Sequence, residues 1–203
     1  MFDLSGQEVL FRIGSALLIT ATHAYALAVI AAWMGDPGPG YDERRTLNPL
    51  QHVQPLGFLS IILFRVGWVK PMAIDPKLLR GGKAGLFVIV LGALAVTLVI
   101  AFALLALRAW VLTTFAGASA AQSAVLWFEN VAIVSAGFAV FNLIPIPPFT
   151  AGLLLAGYAP RLHGLLTRRI VIPALVFTVA LFAADAADLV DPAVRAIARW
   201  FYR

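Results

Sequence analysis

The chain contains no cysteine. Disulfides, thiolate metal ligands and a cysteine nucleophile are therefore excluded, while the redox compartment stays open, since a zero count fits either side of a membrane. Charge is scarce as well. Only 12% of the 203 residues are Asp, Glu, Lys or Arg and 62% are hydrophobic, against about a quarter charged in soluble domains. Such a chain is neither a secreted disulfide scaffold, nor a disordered tail, nor a cytosolic enzyme. Paired intramembrane carboxylates, the usual mark of a small transporter or channel, are missing apart from a lone Glu129. No internal repeat supports an inverted-repeat transporter either.

What the chain does have is apolar length. Uncharged runs cover 13–34, 84–107 and 130–160, each long enough to cross a bilayer core of about 30 Å. The reading is an all-α polytopic membrane bundle of about four transmembrane helices plus a re-entrant or membrane-associated loop. It forms one integral-membrane domain over 1–203. The spans are 13–34, 84–107, 125–144 and a weaker 170–190 with Asp185 and Asp188 at its outer end. Residues 1–12 read as a short interfacial segment, and the acidic start (Asp3, Glu8) argues against a cleavable signal peptide. Thr46 to Phe64 is uncharged but interrupted by Pro49, Pro55 and Gly57, so 46–69 reads as the loop. Residues 109–128, diluted by Ala, Ser, Thr and Gln, read as an external connection.

The net charge of +5 is unevenly placed: ten of the fifteen Lys and Arg lie in 35–84 and 145–169. By the positive-inside rule these two loops face the cytoplasm and both termini face outward. No basic stripe interleaved with aromatics points to nucleic acid. Trp33, Trp68, Trp110 and Trp127 lie near span ends, as an aromatic belt would. Gly81, Gly85 and Gly92 offer close helix packing.

Three places carry polar chemistry in an apolar setting: His23 in mid-span, Asn48-Pro49-Leu50-Gln51-His52 in the loop, and Asn142-Leu143-Ile144-Pro145-Ile146-Pro147-Pro148-Phe149-Thr150-Ala151-Gly152 breaking the third span. The prolines lack N–H donors and so free carbonyls inside the membrane. Gly35-Asp36-Pro37, Thr46-Leu47-Asn48-Pro49-Leu50-Gln51-His52-Val53-Gln54-Pro55-Leu56-Gly57 and Gly67-Trp68-Val69-Lys70-Pro71 complete an ordered series. In that series the chain, over about 23–152, resembles the site-2 proteases, intramembrane zinc metalloproteases of bacterial inner membranes among others. Their motifs run H-E-x-x-H, then G-D-P…L-N-P-L-x-H-x-D-P-L-G…G-W-A-K-P, then N-L-L-P-I-P-P-L-D-G-G.

The resemblance implies two zinc-binding His one helical turn apart, a Glu as general base, and an Asp as third ligand. Here the first His is kept as His23, the Glu position is Ala24, the second His position is Leu27 and the Asp position is Thr150. Catalytic zinc needs three protein ligands and an open position, so the family's zinc is expected to be absent and the chain to be a pseudoprotease. His23 and His52 are weak metal candidates at most. Asn48, His52, Asn142, Pro145 and Pro147 would line the family's substrate groove, and the plainer reading makes His23 a packing histidine, His52 a loop tie and the proline break a kink. Expected partners are membrane lipid and a transmembrane segment of another protein, with self-association left open. The alternatives are an active metallopeptidase with a non-standard site and a small transporter.

Overall fold

The computed structural model describes residues 5–168, and every regular element within them is helical. The expected span 170–190, Asp185, Asp188 and the cations from Arg169 onward lie outside the described residues.

Helix α1 runs Gly6–Met34. The Ser5 hydroxyl caps it by accepting the Glu8 N–H at 3.2 Å, and Gly35 ends it at φ 114°, a left-handed conformation suited to glycine. At 1.5 Å per residue, its 29 residues make about 43 Å. The separate interfacial segment expected over 1–12 is thus corrected. From Gly6 onward those residues are the first turns of α1, since nothing there breaks a helix and Arg12 points inward, buried.

One turn, α2 (Gly38–Tyr41), and a 3-10 turn (Pro49–Gln51) lead to α3 (Pro55–Phe64). Ten residues span about 15 Å, too little to cross a bilayer. The chain instead turns back along α3 as an irregular segment, so the expected loop is a short helix with a non-helical return over 66–75. A Cβ on Gly57 would lie 2.2 Å from the Trp68 carbonyl oxygen, and one on Gly67 would lie 2.2 Å from the Gly57 carbonyl oxygen. Only glycine permits that approach. The far end of α3 is capped by α1: the Arg12 guanidinium donates to the carbonyls of Ile62 and Leu63 at 2.9 and 3.0 Å and pairs with Glu8 at 2.6 Å. Arg65 joins Glu8 at 3.1 Å.

Helix α4 (Gly85–Ala106) continues past Leu107 into α5 (Arg108–Thr114), and the chain reverses through 115–118 into α6 (Ser119–Asn142). The expected external connection at 109–128 is therefore mostly helix, and α6 begins before 125 and ends before 144. Ala, Ser and Gln lower hydropathy without breaking a helix. Among the described residues three helical stretches are long and apolar enough to span: Gly6–Met34, Gly82–Thr114 and Ser119–Asn142.

Side-chain neighbours fix their directions. Gly85 meets Met34, Gly92 meets Ile30 and Thr97 meets His23, so α1 and α4 are antiparallel. Ser15 meets Asn130 and His23 meets Phe138, so α1 and α6 run parallel. Buried alanines (Ala16, Ala24, Ala28, Ala31, Ala93) line the contact and let backbones approach, as packing in lipid requires. After α6 a 3-10 turn (Thr150–Gly152), α7 (Leu153–Tyr158) and α8 (Pro160–Arg168) complete the described chain, with Gly157 against Leu86 of α4.

Two expectations about individual residues change. Trp33 and Trp110 are exposed as belt residues would be, but Trp68 is 1% exposed and edges onto Phe149, because the returning segment carries it into the core. Gly81 meets nothing within 4 Å and sits at φ 80°, so it makes a left-handed turn; Gly85 and Gly92 do make close contacts.

Candidate functional site

His23 is fully buried at the meeting of α1, α4 and the broken third span. Its Nδ1 lies 3.0 Å from Thr97 Oγ1 and its Nε2 lies 2.9 Å from Thr150 Oγ1. The surrounding bonds select the tautomer. Thr150 Oγ1 and Asn142 Oδ1 are 2.9 Å apart, two oxygens that need the threonine proton between them. Thr150 therefore accepts from Nε2–H and donates to Asn142. Thr97 Oγ1, within reach of both Nδ1 and the Ala93 carbonyl at 2.9 Å, is left to donate to Nδ1. Both ring nitrogens are then committed to neutral hydroxyls, and the ring's one in-plane lone pair, on Nδ1, is not open.

Asn142 organises the break. Its amide nitrogen donates to the carbonyls of Gly67 and Phe138 at 2.8 and 2.9 Å, and its oxygen accepts the Thr150 N–H at 3.0 Å. The proline-rich turn satisfies part of itself: Ile144 N–H donates to Phe141, Ile146 N–H to Ile144 and Phe149 N–H to Ile146. Pro145 is exposed, whereas Pro147 is buried.

The loop candidates go elsewhere. Asn48 is exposed and caps the 3-10 turn, its side chain accepting the Leu50 N–H at 3.1 Å. His52 is buried, and its Nε2–H donates to the Thr46 carbonyl at 2.8 Å while Nδ1 accepts from Arg44 Nε–H at 3.2 Å. Burial holds this imidazole below its ordinary 6.5; the Thr46 carbonyl opposes that shift, and the charges of Arg44 and Lys70 add to it. Arg44 also donates to the Lys70 carbonyl at 2.9 Å, and the Lys70 N–H donates to the His52 carbonyl at 2.7 Å. The loop thus fixes the segment that returns from α3.

Beside His23 lies a cavity of about 330 Å³ between that returning segment (Val69 to Ala73) and the turn Pro147 to Leu153. Leu27 and Thr150 line it, and His163 and Thr167 of α8 close one side. Burial pushes the His163 pKa down. The backbone N–H groups of Met72 and Ala73, on the cavity wall, have no partner among the described residues. Of the sequence candidates, the fold brings together His23, Leu27, Asn142, Pro147 and Thr150. Asn48 and His52 stay with their own loop. Sequence reasoning missed Thr97, although it is the one polar side chain in α4, and missed Arg44 and His163.

A catalytic zinc site demands three nitrogen, sulfur or carboxylate donors. Around His23 the further donors are two hydroxyls and a neutral amide, Leu27 offers hydrocarbon, and His52 Nδ1 faces a guanidinium that repels a second cation. Among the described residues no three of His, Cys, Asp or Glu gather. The residues present do not fit the metal.

No family model matches the chain, and no solved structure matches it. Over 140 residues the chain is 28% identical to the Bacillus subtilis (strain 168) protein named "Putative zinc metalloprotease YwhC", a stretch covering 65% of this chain and 62% of that protein. The chain thus spans about three fifths of the length of that relative. The protein described here is an all-α integral membrane bundle, similar over 65% of its chain to a protein named "Putative zinc metalloprotease YwhC".

Proposed function

We propose that this chain is a site-2-protease-like membrane protein without hydrolytic activity, which holds a transmembrane segment of another protein in the groove beside His23. One observation carries the reading: the imidazole that would bind metal is instead tied at both nitrogens to Thr97 and Thr150, with Leu27 and Ala24 where a ligand and a base would stand. A zinc hydrolase needs a bound water acidified by the ion, and this pocket supplies neither the ligands nor the base. The groove itself favours a peptide occupant. The N–H groups of Met72 and Ala73, without a partner among the described residues, offer the main-chain pairing an unwound segment requires, and the mostly apolar walls suit its side chains.

In this reading the protein lies in a bacterial inner membrane with 35–84 and 145–169 facing the cytoplasm. The cysteine-free chain makes that testable: single cysteines at Leu47 and Phe115 should label from opposite sides. For the groove, a photo-crosslinker at Met72 should capture single-span peptides in vesicles, and purified protein should carry zinc far below one ion per chain. About one zinc per chain together with chelator-sensitive cleavage would restore the enzyme and overturn the proposal.

A further inference from the structure

Met72, Ala73, Leu153 and His163 line the apolar cavity and also a second one, of about 480 Å³, on the side of α2. The two spaces adjoin along the returning segment, the second extending towards Asp75. Their chemistry differs. The first is walled mostly by apolar groups, Leu27, Pro147 and Leu153 among them, with Lys70 also on its lining. The second is walled by Asp36, Asp42, Asp75 and Tyr41; among the described residues no lysine or arginine lines it, although Asp42 also attracts the Arg44 guanidinium. Asp36 is buried and spent on the fold, its two oxygens accepting the N–H groups of Gly38 and Asp75 at 2.8 Å each. Asp42 and Asp75 are exposed, one Asp75 oxygen accepting the Lys77 N–H at 2.9 Å, and the Tyr41 ring is 82% exposed on the same wall. Two carboxylates and an aromatic face at the end of a hydrocarbon groove complement a cation at the end of an apolar segment.

We infer that the occupant is a membrane-spanning segment whose apolar stretch ends in lysine or arginine, the hydrocarbon lying over Leu27, Pro147 and Leu153 and the cation between Asp42, Asp75 and Tyr41. The inference rests on the groove reading above and adds the sign of the partner's flank. A cytoplasmic flank rich in lysine or arginine is what the positive-inside rule gives most single-span proteins. The acidic end of the groove therefore selects for orientation as well as for charge.

The test uses the full chain with a photo-crosslinker at Met72, in phosphatidylcholine vesicles, and three synthetic peptides with the same Leu/Ala core and Lys-Lys, Gln-Gln or Glu-Glu flanks. Exposed ion pairs are individually weak, so two of them should raise capture of the lysine peptide about threefold to tenfold over the glutamine peptide at low salt, less in 0.5 M salt. Asp42→Asn with Asp75→Asn should bring the lysine peptide down to the glutamine level and leave the glutamine peptide unchanged, which also reports that the variant is folded. Equal capture of lysine and glutamine peptides would overturn the charge inference and leave the groove standing. Capture of none of the three would overturn the groove reading and this inference with it.

Discussion

Thr150→Val isolates the contact on which the inactive-site reading depends. Valine keeps the shape of threonine and removes the hydroxyl that meets His23 Nε2 at 2.9 Å and Asn142 Oδ1 at 2.9 Å. Asn142 Oδ1 keeps the Thr150 N–H at 3.0 Å, so only the imidazole donor is orphaned. Interhelical hydrogen bonds in membrane proteins average about 0.6 kcal/mol and reach about 1.7, and an unpaired buried donor costs about 1–3 kcal/mol. The expected loss is about 1–2 kcal/mol. His23→Leu behaves differently: Thr97 can turn fully to the Ala93 carbonyl and Thr150 keeps Asn142, so no polar group is stranded. On that background Thr150→Val should cost almost nothing, giving a coupling energy close to the whole single-mutant cost. Reversible unfolding in dodecylmaltoside with rising SDS reads this out, and buried Trp68, in edge contact with Phe149, is a local fluorescent probe. Stability of Thr150→Val equal to wild type, or additive losses in the double variant, would refute the assigned network.

Leu27→His combined with Thr150→Asp should give a chain that retains about one zinc through dialysis where the wild type does not, by elemental analysis, because three donors would then share the His23 face. The His52 tie should weaken in acid. Its folded pKa lies below 6.5, so the neutral form is the one folding favours; its contribution is complete above 6.5 and declines as the pH falls below that. A protonated Nδ1 cannot accept from Arg44, and a spin label at Leu50 should become more mobile at pH 5 than at pH 7.5, a difference that His52→Gln should remove. Gly57→Ala or Gly67→Ala drives a Cβ to 2.2 Å from backbone oxygen and should cost more than about 3 kcal/mol in the same SDS titration, whereas Gly164→Ala, with open space around it, should be near neutral.

The spans were legible because uncharged length is a property of composition alone, and α1, α4 and α6 fall where that length is. Boundaries were less so. Hydropathy dropped at Ser119 to Gln122 while helix propensity did not, and the separate segment foreseen over 1–12 dissolved because Arg12 finds its partners fifty residues away, on α3. The site was half legible. His23, Leu27, Asn142 and Thr150 stood out by type and order. That His52 would be held by Arg44 depended on a tertiary contact within an irregular loop, where no periodicity exists to read. Trp68 misled for a related reason: proximity to a span end suggested the interface, and only the Gly57–Gly67 approach carries it inward.

His23 meets its two hydroxyl partners 74 and 127 residues later in the chain. At a synthesis rate of about 5–20 residues per second, Thr150 follows His23 by roughly 6–25 s. During that interval the first helix is already made, with a polar ring in mid-bilayer and a donor that nothing satisfies. The His23 donor is therefore satisfied only once the Thr150 turn is made, and a nascent chain truncated before Asn142 should be less stable in the membrane than one that includes Thr150.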